Sequence, residues 1–406
     1  MQGSVLVSTI IVARLLGLQS FGAYSVLVST VMMIAAVAQG GSGLVATKYV
    51  AEYLASDPER VGRVLGLCRV FTMAMGACTA ALVFAAAGLL SVDVLGKPEL
   101  EPLVRLVAVA TFFQVSVSYQ FGALQGFGTF KELSRAGMLA GLGHIALTAV
   151  GAWLGQIPGA LLGFVLASAL RTVVCGYILS RVCLAHGVVE KIEFDGDEMR
   201  RMWRFALPAG LAGIVTITCL WLVTVLLARL PNGLDMVAMF SVANQVRLTA
   251  LQIPSLVNGV SFSVLSRLKG QDEQIGFRKV FRSTLAVNSG VSILLVIIII
   301  IAANKILSLY GTEFVHGRSA LIILLISVIP EMLAVTFYQL IQSAGLMWHS
   351  LFLVILPRDI FYLAIVAFLL PTYDIVGAAI AYLIAWLIAL IFILVLIRQV
   401  LPKSNL

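Results

Sequence analysis

Residues 188–204 read VVEKIEFDGDEMRRMWR, the longest polar stretch of the chain. On its N-terminal side lie six apolar runs, at 3–18, 21–45, 66–91, 104–127, 136–155 and 158–182. On its C-terminal side lie six more, at 204–229, 236–266, 284–308, 319–345, 348–371 and 375–399. Most have the roughly 20 residues that carry an α-helix across about 30 Å of hydrocarbon. Helices are expected because every backbone N–H inside lipid must be paired within its own segment. Of the 406 residues, 61% are hydrophobic and 11% charged, against about 45–50% and 25% in soluble domains. Too little polar surface remains to cover such a chain in water, which excludes a soluble enzyme and a nucleic-acid binder. The expected fold is an all-α polytopic membrane protein. About 12 transmembrane helices form two pseudo-symmetric six-helix lobes, at 1–184 and 204–406, joined by a cytoplasmic linker at 185–203.

The formal charge of +8 follows from orientation. With both termini in the cytoplasm, the inner loops and ends hold most of the cations, from Lys48, Arg60 and Arg63 to Arg278, Lys279, Arg282, Arg398 and Lys403. The outer loops then hold only Lys97, Lys305 and Arg318. This is the positive-inside bias of a plasma-membrane protein. No cleavable signal is expected, because Met-Gln-Gly-Ser-Val at the start carries no Lys or Arg. Cys68, Cys78, Cys175, Cys183 and Cys219 fall in or beside apolar runs without metal-ligand spacing. They read as small apolar fillers, and neither a metal nor a cofactor is expected.

A weak internal repeat runs through the chain. Ala13-Arg14-Leu15 returns as Ala228-Arg229-Leu230, Tyr24-Ser25-Val26 as Phe240-Ser241-Val242, and Leu124-Gln125-x-x-Gly128 as Ile341-Gln342-x-x-Gly345. Six spans per half put both halves in the membrane in the same sense, giving a parallel repeat. Two such lobes facing a shared cleft suggest transport by alternating access.

Charges inside spans mark candidate sites, because each needs a partner, a cavity or a nearby interface. Arg14, Arg69, Arg105, Arg171, Arg229, Arg247 and Arg358 stand against two acids, Glu331 and Asp359. Arg69 and Arg105, within a turn of span ends, read as snorkelling side chains. Ser241, Asn244, Arg247, Pro254 and Asn258 share one face of span 8, so Arg247 and Asn244 are expected to line a cavity. Gln114, Ser118, Phe121 and Gln125 recur at steps of 4, 3 and 4, and Glu331, Val335, Tyr338 and Gln342 repeat the pattern 217 residues later. Pro357 is expected to kink span 11. The adjacent Arg358 and Asp359 should point about 100° apart and find separate partners, Glu331 being one candidate for Arg358. His144 reads as a packing residue; Arg171, with no polar counterpart one repeat later, stays unassigned, a structural pair being the favoured reading. The positive balance favours an anionic ligand held by guanidinium forks.

Several short stretches then carry a resemblance. They are Ala13-Arg14-Leu15-Leu16-Gly17 with Phe21-Gly22-x-Tyr24-Ser25, and Ala123-Leu124-Gln125-Gly126 through Phe130-Lys131. In the second half they are Phe240-Ser241-Val242-Ala243-Asn244 with Ile253-Pro254, Leu307-x-Leu309-Tyr310-Gly311-x-x-Phe314, and Pro330 with Tyr338 through Gly345. In their order and spacing the chain resembles the Wzx-type oligosaccharide flippases, the polysaccharide-export branch of the multidrug/oligosaccharidyl-lipid/polysaccharide exporter superfamily. The resemblance implies translocation of a polyprenyl-diphosphate-linked glycan from the inner to the outer leaflet. The lipid tail would stay in the bilayer, and a polysaccharide polymerase would be the neighbouring machinery. Arg14 carries over on the first motif. Arg229, Arg247, Arg358, Asn244, Gln125 and Gln342 are substrate-site candidates from charge, periodicity and repeat position. Glu331 and Asp359 are candidates for coupling to H⁺ or Na⁺.

The alternatives are a cation-coupled multidrug or metabolite antiporter of the same superfamily, which would want an acidic cavity, and a membrane-embedded glycan transferase, which would want a long outer loop or a clustered acid–base site. A larger lipid II flippase has too many spans for this length. A major-facilitator sugar porter lacks its signature here, since Lys48–Leu67 reads as one amphipathic helix.

Overall fold

The computed structural model describes residues 2–54, 56–192, 196–270, 274–343 and 347–400. The middle of the linker, 193–195, and the side chain of Gln342 lie outside the described residues. All regular structure among the described residues is helical. In chain order the helices are α1 (Gln2–Leu16), α2 (Leu18–Ala38), α3 (Ser42–Tyr53), α4 (Pro58–Ala85), α5 (Glu101–Gly126), α6 (Phe130–Ala185), α7 (Gly196–Ala228), α8 (Gly233–Gly270), α9 (Gln274–Tyr310), α10 (Arg318–Ser343) and α11 (Leu356–Val400). Among the described residues eight apolar segments are long enough to cross a membrane, and two of them are far too long for a single crossing, at 56 and 51 residues.

Both long segments are hairpins. In α6 the backbone leaves helical geometry at Gly155 (φ −138°, ψ 21°) and Gln156 (φ 52°, ψ −135°), just ahead of Pro158. Close approaches across the turn pair residues symmetrically about it: Gly151 with Gly159, and Leu147 with Gly163. The two arms therefore run antiparallel and touch through glycine, as small residues allow when no hydrophobic drive pulls helices together in lipid. A Cβ on Gly159 would sit 2.1 Å from the Gly151 carbonyl oxygen. Gly159→Val should force the arms apart, at about 1–3 kcal/mol or more, and cut the yield of monodisperse protein. Gly155→Ala, with nothing within 4 Å, should leave that yield unchanged. In α11 the turn is at Asp374 (φ 49°, ψ −133°), after Pro371. Here Gly377 lies against the Leu369 carbonyl, and Tyr362 packs edge-on against Tyr382 at 5.4 Å. With each arm counted separately and the 12-residue α3 set aside, the described residues form twelve long helices.

Residues 42–67 depart from the single amphipathic helix expected over Lys48–Leu67. α3 stops at Tyr53 and α4 begins at Pro58. The Asp57 carboxylate accepts from the Arg60 backbone N–H at 3.0 Å, and proline takes the first helical position, a strong N-terminal signal. Pro357 also differs from expectation. It occupies the start of α11, and a π-helical turn, Leu351–Ile355, precedes it. That wider turn absorbs the missing N–H where a mid-span kink was expected.

By packing, the chain divides into two units, residues 3–234 and residues 235–406. The boundary falls one helix after the polar stretch at 188–204, because α7 packs along α2. The Trp221 indole donates to Thr30 Oγ1 at 3.0 Å, and Gly22 lies directly against the Leu234 carbonyl. The core of the first unit gathers Val45, Tyr49 and Val50 of α3, Val61, Leu65 and Cys68 of α4, Tyr119 and Leu124 of α5, and Leu179 and Val182 of α6. α3 crosses α5 closely enough for Thr47 Oγ1 to donate to the Gly122 carbonyl at 2.9 Å. In the second unit α10 packs on α11 around Ala334, Leu340, Ile341, Ala389, Ile393 and Leu396. The five cysteines are free thiols.

Candidate functional site

The first unit contains a cavity of about 510 Å³. Its floor and walls come from the α2–α3 turn, α5, the second arm of α6, and α7. The polar lining is Gln39, Thr47, Gln114, Ser118, Gln125 and Arg171, and among the described residues it contains no carboxylate. The whole α5 stripe of Gln114, Ser118, Phe121 and Gln125 faces this space. The steps of 4, 3 and 4 hold these four on one side of the helix. Small residues open the opposite wall, where Gly210 and Gly213 of α7 line it. Ser118 shares a 2.6 Å hydrogen bond with Ser42, and the Gln114 amide donates to Ser168 Oγ at 3.2 Å. The lining is thereby fixed by contacts between α3, α5 and α6.

Arg171 supplies the cavity's only cation among the described residues. Thr172 anchors its arm of α6 to α5 by donating to the Phe113 carbonyl at 3.1 Å. The guanidinium carbon stands 6.0 Å from the Phe121 ring centre, and the buried Nε–H has no hydrogen-bond acceptor among the described residues. The structural ion pair expected for Arg171 is not formed among the described residues. A signal for this existed in the sequence. The acids of the first half, such as Glu52, Asp57, Glu99, Glu101 and Glu132, all cluster at span ends. A mid-span arginine there has no intramembrane carboxylate to meet.

The other arginines are already engaged. Arg14 is exposed in the last turn of α1, where a cation complements the helix dipole. Arg229 donates through Nε to the Val94 carbonyl at 2.8 Å and through Nη2 to the Asp93 carbonyl. It closes the C-terminal end of the π turn Leu90–Val94. Arg69 bonds Glu190 at 3.1 Å and Arg105 bonds Glu101 at 2.6 Å, pairs that reach toward the polar ends of their helices. His144 stands edge-on to Phe164 at 6.2 Å.

In the second unit, Arg247 is 2% exposed. It is ion-paired through Nη1 to Glu331, and Asn244 Oδ1 accepts from its Nε and Nη2 at 3.0 and 2.9 Å. Its guanidinium lies 4.5 Å from the Tyr382 ring centre, and the Tyr382 hydroxyl approaches both Glu331 oxygens at 3.4 Å. Arg358 and Asp359, expected to point about 100° apart, bond each other. Nε and Nη2 of Arg358 lie 2.8 and 2.7 Å from Asp359 Oδ1. The cause is Trp386 on the other arm of the hairpin. Its ring covers the guanidinium at 4.5 Å and holds it where the neighbouring carboxylate can reach. Glu331 is the ion-pair partner of Arg247. Asn258, on the same face of α8 as Arg247, accepts from Asn288 at 2.7 Å and from Thr336 at 3.3 Å. That polar face is taken up by contacts between helices.

The profile of the polysaccharide biosynthesis protein family matches residues 2–269. The EPS I polysaccharide export inner membrane protein EpsE of Ralstonia nicotianae is 23% identical over 355 residues, covering 86% of this chain and 79% of that one. The EpsE of Ralstonia solanacearum is 25% identical over 354 residues, with the same coverage. Among solved structures, an inward-facing MATE-family transporter of the MOP superfamily superposes with a TM-score of 0.83 over 98% of this chain and 95% of that one, at 17% identity. A MOP-superfamily transporter from Pyrococcus furiosus, whose binding pocket is described as reversed in polarity, gives 0.74 over 98% and 91%, at 18% identity. At such identities the superpositions establish the fold. The chain belongs to the polysaccharide biosynthesis protein family, built on the helical fold of the MOP-superfamily transporters.

Proposed function

We propose that this protein is a multi-pass inner-membrane flippase, both termini cytoplasmic, that moves an anionic lipid-linked oligosaccharide to the outer leaflet by alternating access. The observation that carries the reading is the cavity of the first unit, which among the described residues has no carboxylate, Arg171 as its one cation, and glutamines and hydroxyls as the polar remainder. A guanidinium suits a phosphate through two parallel bonds. Gln39, Gln114 and Gln125 offer both donors and acceptors, which is what sugar hydroxyls require. The family and the export role in the names of the Ralstonia relatives support a glycan as cargo. An antiporter of organic cations would need negative charge in this cavity, and its lining holds none among the described residues.

Charge reversal tests the reading without touching Arg171. Gly213 lines the cavity, and a Cβ there meets nothing within 4 Å. Gly213→Asp places a carboxylate in the cavity with no steric conflict, whereas Gly213→Asn adds the same bulk without charge. In proteoliposomes carrying a fluorescent polyprenyl-diphosphate glycan, the Asp variant should flip at least about tenfold more slowly than the Asn variant, the loss expected when about 1.4 kcal/mol of binding is cancelled. Equal rates for the two would refute an anionic cargo at this site.

A further inference from the structure

A second cavity of about 80 Å³ lies in the first unit, lined by residues of α1, α2, α5 and both arms of α6. Its polar lining is Ser4, Gln114, His144, Ser168 and Arg171, and the remainder is apolar. Arg171 and Gln114 line both cavities, so these two side chains separate the small space from the large one. We infer that the small cavity is a binding site for a monovalent inorganic anion of halide size, held as the resident counter-ion of Arg171.

Three observations meet here. The first is charge. No carboxylate lines either cavity, and no ion pair is made by Arg171 among the described residues. An uncompensated cation inside a membrane is among the costliest features a protein can hold, and it is retained where a counter-charge is supplied. The second is unmet donor capacity. The buried Nε–H of Arg171 has no acceptor among the described residues. His144, with its ring against Phe164, borders the space with a ring N–H available to donate in one tautomer. The third is size. A cavity needs about 10–15 Å³ by the same measure to hold one water. Some 80 Å³ therefore admits a halide with a few waters and excludes a diphosphate carrying sugars. Water alone would satisfy the donors and leave the charge. A metal cation is disfavoured by the arginine. The inference does not depend on what occupies the large cavity.

The test uses purified full-length protein in lipid nanodiscs with no lipid-linked substrate present. Thermal unfolding is followed in sodium chloride, sodium bromide and sodium gluconate at equal ionic strength. Chloride and bromide should raise Tm over gluconate by about 2–4 °C, since a ligand bound only to the folded state stabilises it. Equilibrium dialysis with ³⁶Cl⁻ should show saturable binding. Arg171→Gln should abolish both effects. Ala167→Val, which fills the small cavity from its buried apolar wall and keeps the arginine, should abolish them as well. Identical melting of the wild type in chloride and gluconate would overturn the inference. So would a halide response retained in full by either variant, which would place the anion elsewhere. Because no glycan is involved, failure here leaves the charge-reversal test of the large cavity standing, and the converse holds equally.

Discussion

Replacing Arg171 by glutamine should stop glycan delivery while leaving the protein, melted in halide-free buffer, at least as stable as the wild type. Both halves of this expectation come from the same geometry. Two charge-assisted bonds from a guanidinium to a phosphate contribute about 1.5–3 kcal/mol each. Their loss should lower the flipping rate at sub-saturating substrate by about a hundredfold or more. Arg171→Lys keeps the charge and loses the fork, so it should retain part of the activity. The stability half is less usual. Removing an arginine from a protein interior normally strands its partner. Here no carboxylate depends on Arg171 among the described residues, and the variant sheds a buried charge. Complementation of a flippase-deficient strain at matched membrane levels reads the first half, and a detergent melting curve reads the second. Normal glycan delivery by Arg171→Gln would remove the arginine from the transport site. A large drop in melting temperature would show that it has a structural partner.

How far such a site could be read from the sequence depends on what each signal encodes. Periodicity encodes faces, and the stripe Gln114, Ser118, Phe121 and Gln125 lies along one cavity wall. Turn chemistry encodes reversals. Gly155 with Pro158, and Pro371 ahead of Asp374, mark the hairpins that divide two continuous helices into four arms. Pairing of charges is encoded by neither, because it depends on which helices become neighbours. Arg247 and Glu331 lie 84 residues apart and meet only when α8 packs beside α10. Arg358 and Asp359 are adjacent, and helical geometry argued against their bond. The guanidinium sits at the end of a long flexible stem, and Trp386 from the far arm decides where it rests. Arg171 was the opposite case. A partner was expected for it on general grounds of cost, and the clustering of first-half acids at span ends is the detail that excluded one.

The second unit should respond to mutation in the opposite sense from Arg171. Glu331→Gln leaves Arg247 buried with its charge uncompensated, and Arg247→Met does the same to Glu331. Each should cost about 3–5 kcal/mol, the range for breaking a buried pair by removing one member. The double variant Arg247→Met/Glu331→Met removes both charges and fills the space with side chains that adapt to irregular gaps. It should recover most of that loss. Recovery should be incomplete, because Asn244 and the Tyr382 hydroxyl lose the partners that they have now, at about 1 kcal/mol apiece. A double-mutant cycle on melting temperature and on the fraction of monodisperse protein should therefore give a coupling of at least about 2 kcal/mol. The same cycle bears on ion coupling. A proton arriving at Glu331 cancels its charge and strands Arg247, as glutamine does permanently, so a coupling role requires that Arg247 can leave the pair without unfolding the unit. If Glu331→Gln is as stable as the wild type, that freedom exists; if it also transports unchanged across pH and sodium, no proton or sodium at Glu331 drives transport. If Glu331→Gln collapses and the double variant restores both stability and glycan delivery, the pair holds α8 against α10 and carries no ion.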